Sequence, residues 1–360
     1  MFAYLMERKR VRNPPSASRE MQPKVMQMNK VKDLRYWAGA LVFVGLGLIL
    51  YMQFLSPSRP AGDGSQEIVY DLKHGSGAYS VARDLSEAGI IRSPDYFKLY
   101  MRLTGLQDEL KAGSYELNDG MSTHEVAEVL TEGRVRMVQF TIPEGWHNRQ
   151  IAKLMVERGF AENEEQFLKL TKDPAILKKF QIPADSTEGY LFPETYTISY
   201  GYPLEKIHEA MIARFFAQLE KANPPENISR KDLHKKLILA SIIEREAVKR
   251  EELPHMSRVF LNRLDKGMRL ESCATIQYLL PKPREKLYEK DLQIPSPYNT
   301  YENAGMPPGP ISNPGLPALK AAFHPEEGDF LFFVLKPDGS HHFSKTFQEH
   351  VKAKRKYLGS

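Results

Sequence analysis

Glu244 is the residue of this chain whose type and setting best suit chemistry. It lies in Leu237-Ile-Leu-Ala-Ser-Ile-Ile-Glu-Arg-Glu-Ala247, where seven apolar or small residues lead up to the carboxylate and no basic residue precedes it within the run. On a helix its neighbours at i−3, i−4, i−7 and i+4 are Ser241, Ala240, Leu237 and Val248, so Glu244 shares the face that buries while Glu246 points the other way. Burial takes water from the charged form and raises a carboxyl pKa, which is how a glutamate keeps its proton near neutral pH and serves as a general acid. The helix alone leaves a second reading open, a structural glutamate capped or paired with Arg245 or Arg250.

The elements that must hold such a carboxyl follow from the patterns around it. Ser257–Leu264 packs through Val259, Phe260, Leu261 and Leu264, and helices are expected around 148–158, 163–171 and 204–221. Val138, Phe140 and Ile142 share one face of a strand ending at Pro143-Glu-Gly-Trp146. Thr187–Tyr196 is aromatic and broken by Gly189 and Pro193, a pattern expected of a groove wall. Residues 295–317 hold seven prolines and three glycines, and a stiff loop of that length in a compact domain is usually functional. A strand over Phe330–Leu335, a turn at Pro337-Asp-Gly339 and His341-His-Phe-Ser344 close the chain.

Upstream, residues 66–136 read as a small α+β module. Glu67–Leu72 alternates like a strand, Ala78–Ala88 and a segment opened by Ser93-Pro94 read as helices, and Ala112–Leu117 is a second strand. Ser122-Thr-His-Glu125 is a capping box opening a further helix that ends near Gly133. Ser56–Ser65 carries turn formers and no apolar pattern, so it reads as a linker.

The net charge of +5 is unevenly spread. Residues 1–35 hold nine Lys/Arg against three Asp/Glu, which leaves 41 basic and 42 acidic residues in the rest, an electrically balanced body that argues against nucleic-acid binding. Tyr36–Leu55 then runs for 20 residues without a formal charge, a length that suits a transmembrane helix. The basic excess before it places a cytoplasmic tail at 1–35 and everything after Ser56 on the far side. The basic leader is too long for an ordinary cleaved signal peptide, so a retained anchor is expected. Met28 leaves room for a downstream translation start. The single cysteine, Cys273, makes no internal disulfide, so core packing alone must hold the exported part.

Six segments in order, TIPEGW (141–146), EGYLFPETY (188–196), LASIIEREA (239–247), VFLNRLDKGMRLES (259–272), SPYNTYENAGMPPGPISNP (296–314) and DGSHHFSKTFQEH (338–350), closely resemble the YceG-like endolytic murein transglycosylases. That resemblance implies an α+β fold with a single N-terminal transmembrane helix, a LysM-like module over 66–136 and a mixed α+β catalytic domain over 137–355. It implies a plasma-membrane protein with its catalytic domain outside the cytoplasm, working on peptidoglycan glycan strands beside cell-wall synthesis complexes, with no cofactor. Glu244 matches the family's catalytic glutamate. The family cleaves the β-1,4 bond between N-acetylmuramic acid and N-acetylglucosamine within strands and leaves 1,6-anhydro ends, because the sugar's C6 hydroxyl replaces water. One carboxyl then serves as acid and afterwards as base, which relaxes the usual need for two. A hydrolytic muramidase and a non-catalytic peptidoglycan-binding scaffold are the alternatives.

The chain departs from the family in reading Cys273-Ala-Thr275 where an Asp-Pro-Thr string is common, which argues against a catalytic role there. Glu188, beside a glycine and aromatics that stack on sugars, is a candidate for the glycan groove. Asn262, Tyr298 and Asn299 are candidates for hydrogen bonds to sugar hydroxyls and acetamides, or equally for holding the proline loop and capping helices. Glu194 reads as a cap or surface charge. His341, His342 and His350 lack accompanying ligands, and no metal site is expected.

Overall fold

Apolar side chains gather in two separate clusters, one from Leu72 to Leu130 and one from Phe140 to Ala322. The computed structural model describes residues 30–52, 56–284 and 286–359. Most of the expected basic tail, residues 1–29, and the last three residues of the expected span, 53–55, lie outside the described residues.

The N-terminal unit, Met1–Ser58, contains helix α1 (Lys30–Leu50). Its first turns carry Lys30, Lys32, Asp33 and Arg35, so its uncharged part is Tyr36–Leu50. At 1.5 Å per residue that part is about 22 Å long, short of a hydrocarbon core of about 30 Å. Among the described residues no helix is long and apolar enough to cross a membrane, and the continuous helix expected over 36–55 is not seen as such. The apolar side chains of α1 from Tyr36 to Leu50 are nonetheless exposed on every side.

The second unit, Arg59–Ser360, begins with β1 (Glu67–Leu72), α2 (Ala78–Glu87), α3 (Pro94–Thr104), β2 (Gly113–Asn118) and α4 (Thr123–Glu132). β1 and β2 pair antiparallel from Glu67↔Asn118 to Leu72↔Gly113. Their inner side chains meet Val81, Leu85, Phe97, Met101 and Leu130. Local chemistry sets the ends. Ser93 accepts from the Tyr96 amide ahead of Pro94, Gly105 closes α3 at φ 74°, and Ser122 with Glu125 forms the reciprocal capping box. The linker is docked at its end. Asp119 accepts from the amides of Gly64 and Gln66 at 2.9 and 3.2 Å, and its carbonyl accepts from Gly62 at 2.7 Å.

The larger part runs β3 (Met137–Thr141), α5 (Asn148–Glu157), α6 (Glu164–Leu170), α7 (Pro174–Lys179), β4 (Thr195–Ser199), α8 (Leu204–Leu219), α9 (Arg230–Glu246), α10 (Leu253–Asp265) and α11 (Cys273–Leu279). After the proline-rich loop come α12 (Leu316–Phe323), β5 (Phe332–Leu335), β6 (His341–Ser344) and α13 (Phe347–Leu358). β3 pairs antiparallel with β4 and β5 with β6, so among the described residues there are three two-stranded sheets. The mixed α+β character is as expected.

α9 is the central helix, packed by α10, α11 and α12. Ser229 caps its start, and Leu233, Leu237, Leu239, Ala240, Ile242 and Ile243 are buried. It ends sooner than its apolar run suggests. Ala247 is extended and Val248 is exposed, so Glu244 belongs to the last turn and has no helical i+4 neighbour. The aromatic segment also differs from a groove wall. Tyr190, Phe192 and Tyr196 turn into the core, where Tyr190 packs edge-on against Phe215 and Tyr196 stacks on Phe140.

Candidate active site

Glu244 leaves the last turn of α9 half-buried. The turn before α5 passes so close that a Cβ on Gly145 would lie 3.5 Å from the Glu244 Cγ and 3.2 Å from the Arg245 Cδ. Gly145 also has φ +77°, so a side chain there meets backbone strain as well. Oε2 of Glu244 accepts one hydrogen bond, from the Gly315 amide at 2.9 Å. Burial pushes the carboxyl up to about 7, helped by the nearby Glu144 charge, while the Gly315 amide, Arg250 and Arg245 pull the other way. Glu144 itself is held by Arg250 at 2.5 Å and also lies against Gly315, where a Cβ would come within 2.1 Å of its Oε1.

The segment Ile311–Gly315 ties these parts together. The Ile311 amide donates to Ser241 Oγ at 3.0 Å, and Ser312 Oγ donates to the Ser241 carbonyl at 3.1 Å, which fastens the segment to α9 one turn before Glu244. The Asn313 amide donates to the Trp146 carbonyl at 2.7 Å, and the Asn313 carbonyl accepts from Gly145 at 2.9 Å. The Asn313 side chain accepts from the Leu191 amide at 2.8 Å and donates toward Glu188 Oε1 at 3.4 Å. Ser312 and Asn313 are wholly buried, so each of these polar groups depends on its partner. Pro310 presses on Gly189, where a Cβ would meet it at 2.7 Å and φ is +87°.

Glu188 lies on the other side of this strap and is buried, with 7% of its surface exposed. Its carboxyl accepts from the Asn148 amide at 3.0 and 3.2 Å and from the Tyr278 hydroxyl at 3.4 Å. Burial outweighs those bonds and pushes its pKa up to about 8. It lines a cleft of 560 Å³ with Arg149, Leu168, Lys172, Tyr278, Leu279 and Tyr298. Tyr298 packs on Tyr278 with ring centroids 5.2 Å apart, and its hydroxyl lies over Gly309, where a Cβ would come within 2.8 Å.

Glu244, Glu188 and Tyr298 are therefore gathered around one loop. Asn262 and Asn299 have other partners. The Asn262 amide donates to the carbonyls of Gly328 and Phe330, and the Asn299 amide to those of Leu292 and Ile294 while its oxygen accepts from Tyr301. Glu194 is bonded to Arg214, and His341 to Glu252 at 2.7 Å. Glu246 is not a free surface charge. It accepts from Ser272 Oγ at 2.5 Å and the Ala274 amide at 3.1 Å, which holds the start of α11. Sequence reasoning missed Glu144, Asn313 and Gly315. The first sits in the quoted PEGW turn and the others in the proline-rich loop, and that placement was their only local signal.

Glu188 carries a stability signature. Its carboxyl has a pKa of about 8 folded against an ordinary 4.5, so between those values the folded chain binds the extra proton and stability falls as pH rises. The slope from this one group is at most about 1.4 kcal/mol per pH unit. Denaturant melts across that window should show a shallower decline for Glu188→Gln than for the natural chain. Identical pH slopes for the two would mean that Glu188 is ionised in the folded protein.

The strap, the last turn of α9 and the turn at Gly145 all lie within the part of the chain shared with known proteins. An endolytic murein transglycosylase of Bacillus subtilis (strain 168) is 34% identical over 314 residues, covering 83% of this chain and 87% of that protein. One of Streptococcus pneumoniae (strain D39) is 28% identical over 356 residues, covering 89% of this chain and 64% of that longer relative. The crystal structure of a YceG-like protein from Listeria monocytogenes superposes with a TM-score of 0.54 at 32% identity, covering 80% of this chain and 99% of that one. The YceG-like family model matches residues 70–356, from β1 to α13, and the chain belongs to the YceG-like family.

Proposed function

We propose that this chain is a membrane-anchored endolytic murein transglycosylase in which Glu244 carries both proton transfers. The observation that carries the reading is a half-buried carboxyl on the last turn of α9 that accepts one amide hydrogen bond and whose pKa burial pushes up to about 7. Near neutral pH a substantial fraction of Glu244 holds its proton, the state a general acid needs. The proton passes to the glycosidic oxygen as the C1–O bond of N-acetylmuramic acid breaks, releasing the 4-hydroxyl of N-acetylglucosamine. Charge develops at C1 as the leaving oxygen departs, and the carboxylate now on Glu244 stands beside it. The C6 hydroxyl oxygen bonds to C1, and its proton returns to Glu244. The acid is regenerated, the product is a 1,6-anhydro ring, and no water is consumed. Glu144 is committed to Arg250 and Glu188 is sunk in its own cleft, which supports a single-carboxyl mechanism. The names of the Bacillus and Streptococcus relatives support the same substrate and reaction.

The strand–helix–helix–strand order of β1–α2–α3–β2 supports a LysM-like, glycan-holding role for the small module. The exposed apolar side chains from Tyr36 to Leu50, together with the uncharged run to Leu55, support a membrane anchor with the N-terminus in the cytoplasm. The substrate implies work beside cell-wall synthesis complexes.

Glu244→Gln should lower cleavage of purified glycan strands by at least about 10² to 10⁴ while the thermal melt stays close to that of the natural chain. Products of the natural chain should lack one water relative to hydrolysed ends. Hydrated ends would make the enzyme a muramidase, and unchanged rates for Glu244→Gln would remove Glu244 from the mechanism. For the anchor, a reporter active only outside the cytoplasm should work when fused after His350 and fail when fused before Tyr36. The reverse pattern would invert the topology and rule out murein as the substrate.

A further inference from the structure

Helix α13 (Phe347–Leu358) has an outer face that packing within the second unit does not use. Its inner side meets β5 and β6, where Ala353 is buried and the His350 ring stacks on Phe332 with centroids 5.2 Å apart. On the exposed side Phe347, Val351 and Leu358 form a stripe about 40° wide, counted at roughly 100° per residue. Phe347 and Leu358 are 65% and 54% exposed. Among the described residues of this unit, no other helix carries two large apolar side chains so exposed. Lys354 borders the stripe on one side and Arg355 on the other, with Lys352 and Lys356 further round.

The charges on this face are uncompensated. Four basic residues stand against Glu349 alone, a net of +3 on one helix in a body whose charges otherwise nearly cancel. All four are exposed, and among the described residues none is in an ion pair. Glu349 is taken up by the capping box, where it accepts from the amides of Lys345 and Thr346 at 2.9 and 3.1 Å. Acids nearby have partners of their own: Glu271 pairs with Arg263 at 3.2 Å and Asp329 with Lys345 at 2.7 Å. Unpaired cations on an exposed face call for a negatively charged surface. A purely ionic polymer would leave Phe347 and Leu358 in water. At a bilayer surface such side chains enter the acyl boundary while lysine and arginine stems reach back to the phosphates. Only residues 56–66 separate the uncharged run ending at Leu55 from β1, so an anchored chain holds this unit close to a bilayer.

We propose that the outer face of α13 is a second membrane contact, lying in the interface of a bilayer that contains anionic phospholipid. Phe347 and Leu358 enter the acyl boundary, and Lys352, Lys354, Arg355 and Lys356 meet lipid phosphates. The proposal rests on the membrane-anchored reading, which brings the unit to the bilayer, and adds the surface by which the unit lies on it.

The test uses the full-length chain in lipid nanodiscs, with Cys273→Ser removing the natural thiol and Leu358→Cys carrying a nitroxide. Electron paramagnetic resonance compares the label's collisions with oxygen, which concentrates in lipid, and with a nickel chelate, which stays in water. In discs of phosphatidylcholine mixed equally with phosphatidylglycerol the label should favour oxygen. In phosphatidylcholine alone, or in mixed discs at high salt, it should favour the chelate. Each basic residue removed should lower the docked population about fivefold. Changing Lys352, Lys354, Arg355 and Lys356 together to Gln should therefore leave the label in water in both discs, while cleavage of soluble glycan strands stays at the natural rate. A label on Glu165→Cys, exposed on α6, should meet the chelate throughout. A label at 358 that favours the chelate in mixed discs would overturn the contact. So would undiminished lipid exposure in the four-Gln chain, or equal lipid exposure at 165. Protection of the label by soluble poly(glycerol phosphate) but not by mixed discs would assign the face to a polyanion instead. Failure of the anchored reading would show separately, as release of the chain from phosphatidylcholine discs at high salt.

Discussion

The buried strap Ile311–Gly315 is the constraint on which the site depends. Buried backbone groups need partners, and in this segment the partners come from three directions. α9 supplies Ser241 and Glu244, the turn before α5 supplies Gly145 and Trp146, and the Glu188–Leu191 segment supplies the rest. Elements distant in sequence are thereby fixed to one another around a proline-stiffened loop. The geometry demands glycine at 145 and 189, where φ is positive and a Cβ would crowd a neighbour, while at 315 a Cβ would have to displace the Glu144 side chain.

Three carboxyls near this strap have different surroundings. Glu144 is half-exposed and bonded to Arg250, so its charge is accommodated. Glu188 is buried at the wall of its cleft and its pKa is pushed up to about 8. Glu244 stands between these extremes at about 7, with solvent on one side and the Gly315 amide on the other. Pairs of acids pushed apart by environment are how one fold assigns different tasks to the same functional group. Here the intermediate group is the one suited to giving up a proton and taking it back.

The face of α9 could be read from sequence because helical periodicity is local. Leu237, Ala240 and Ser241 are buried as their spacing requires, and Glu244 follows them. Where the helix stops could not be read, since Ala247 turns extended without a glycine or proline to mark it. The segment around Gly189 showed its irregularity but not its orientation. Glu188 faces the cleft while Tyr190 and Phe192 enter the core, and only the packing of α8 against them decides that. Helical phase put Glu246 opposite Glu244, but nothing local announced that α11 would arrive to be capped by it. Asn313 and Gly315 act through backbone contacts with distant residues, which leave no period in the sequence.

The most direct test of the central claim is a titration of the Glu244 carboxyl itself, by carbon-13 NMR of glutamate-labelled protein, with the resonance assigned by its loss in Glu244→Gln. The expected midpoint is about 7, set chiefly by burial on the last turn of α9. A midpoint near the ordinary 4.5 would mean that Glu244 is ionised at neutral pH and lacks the proton the mechanism gives it.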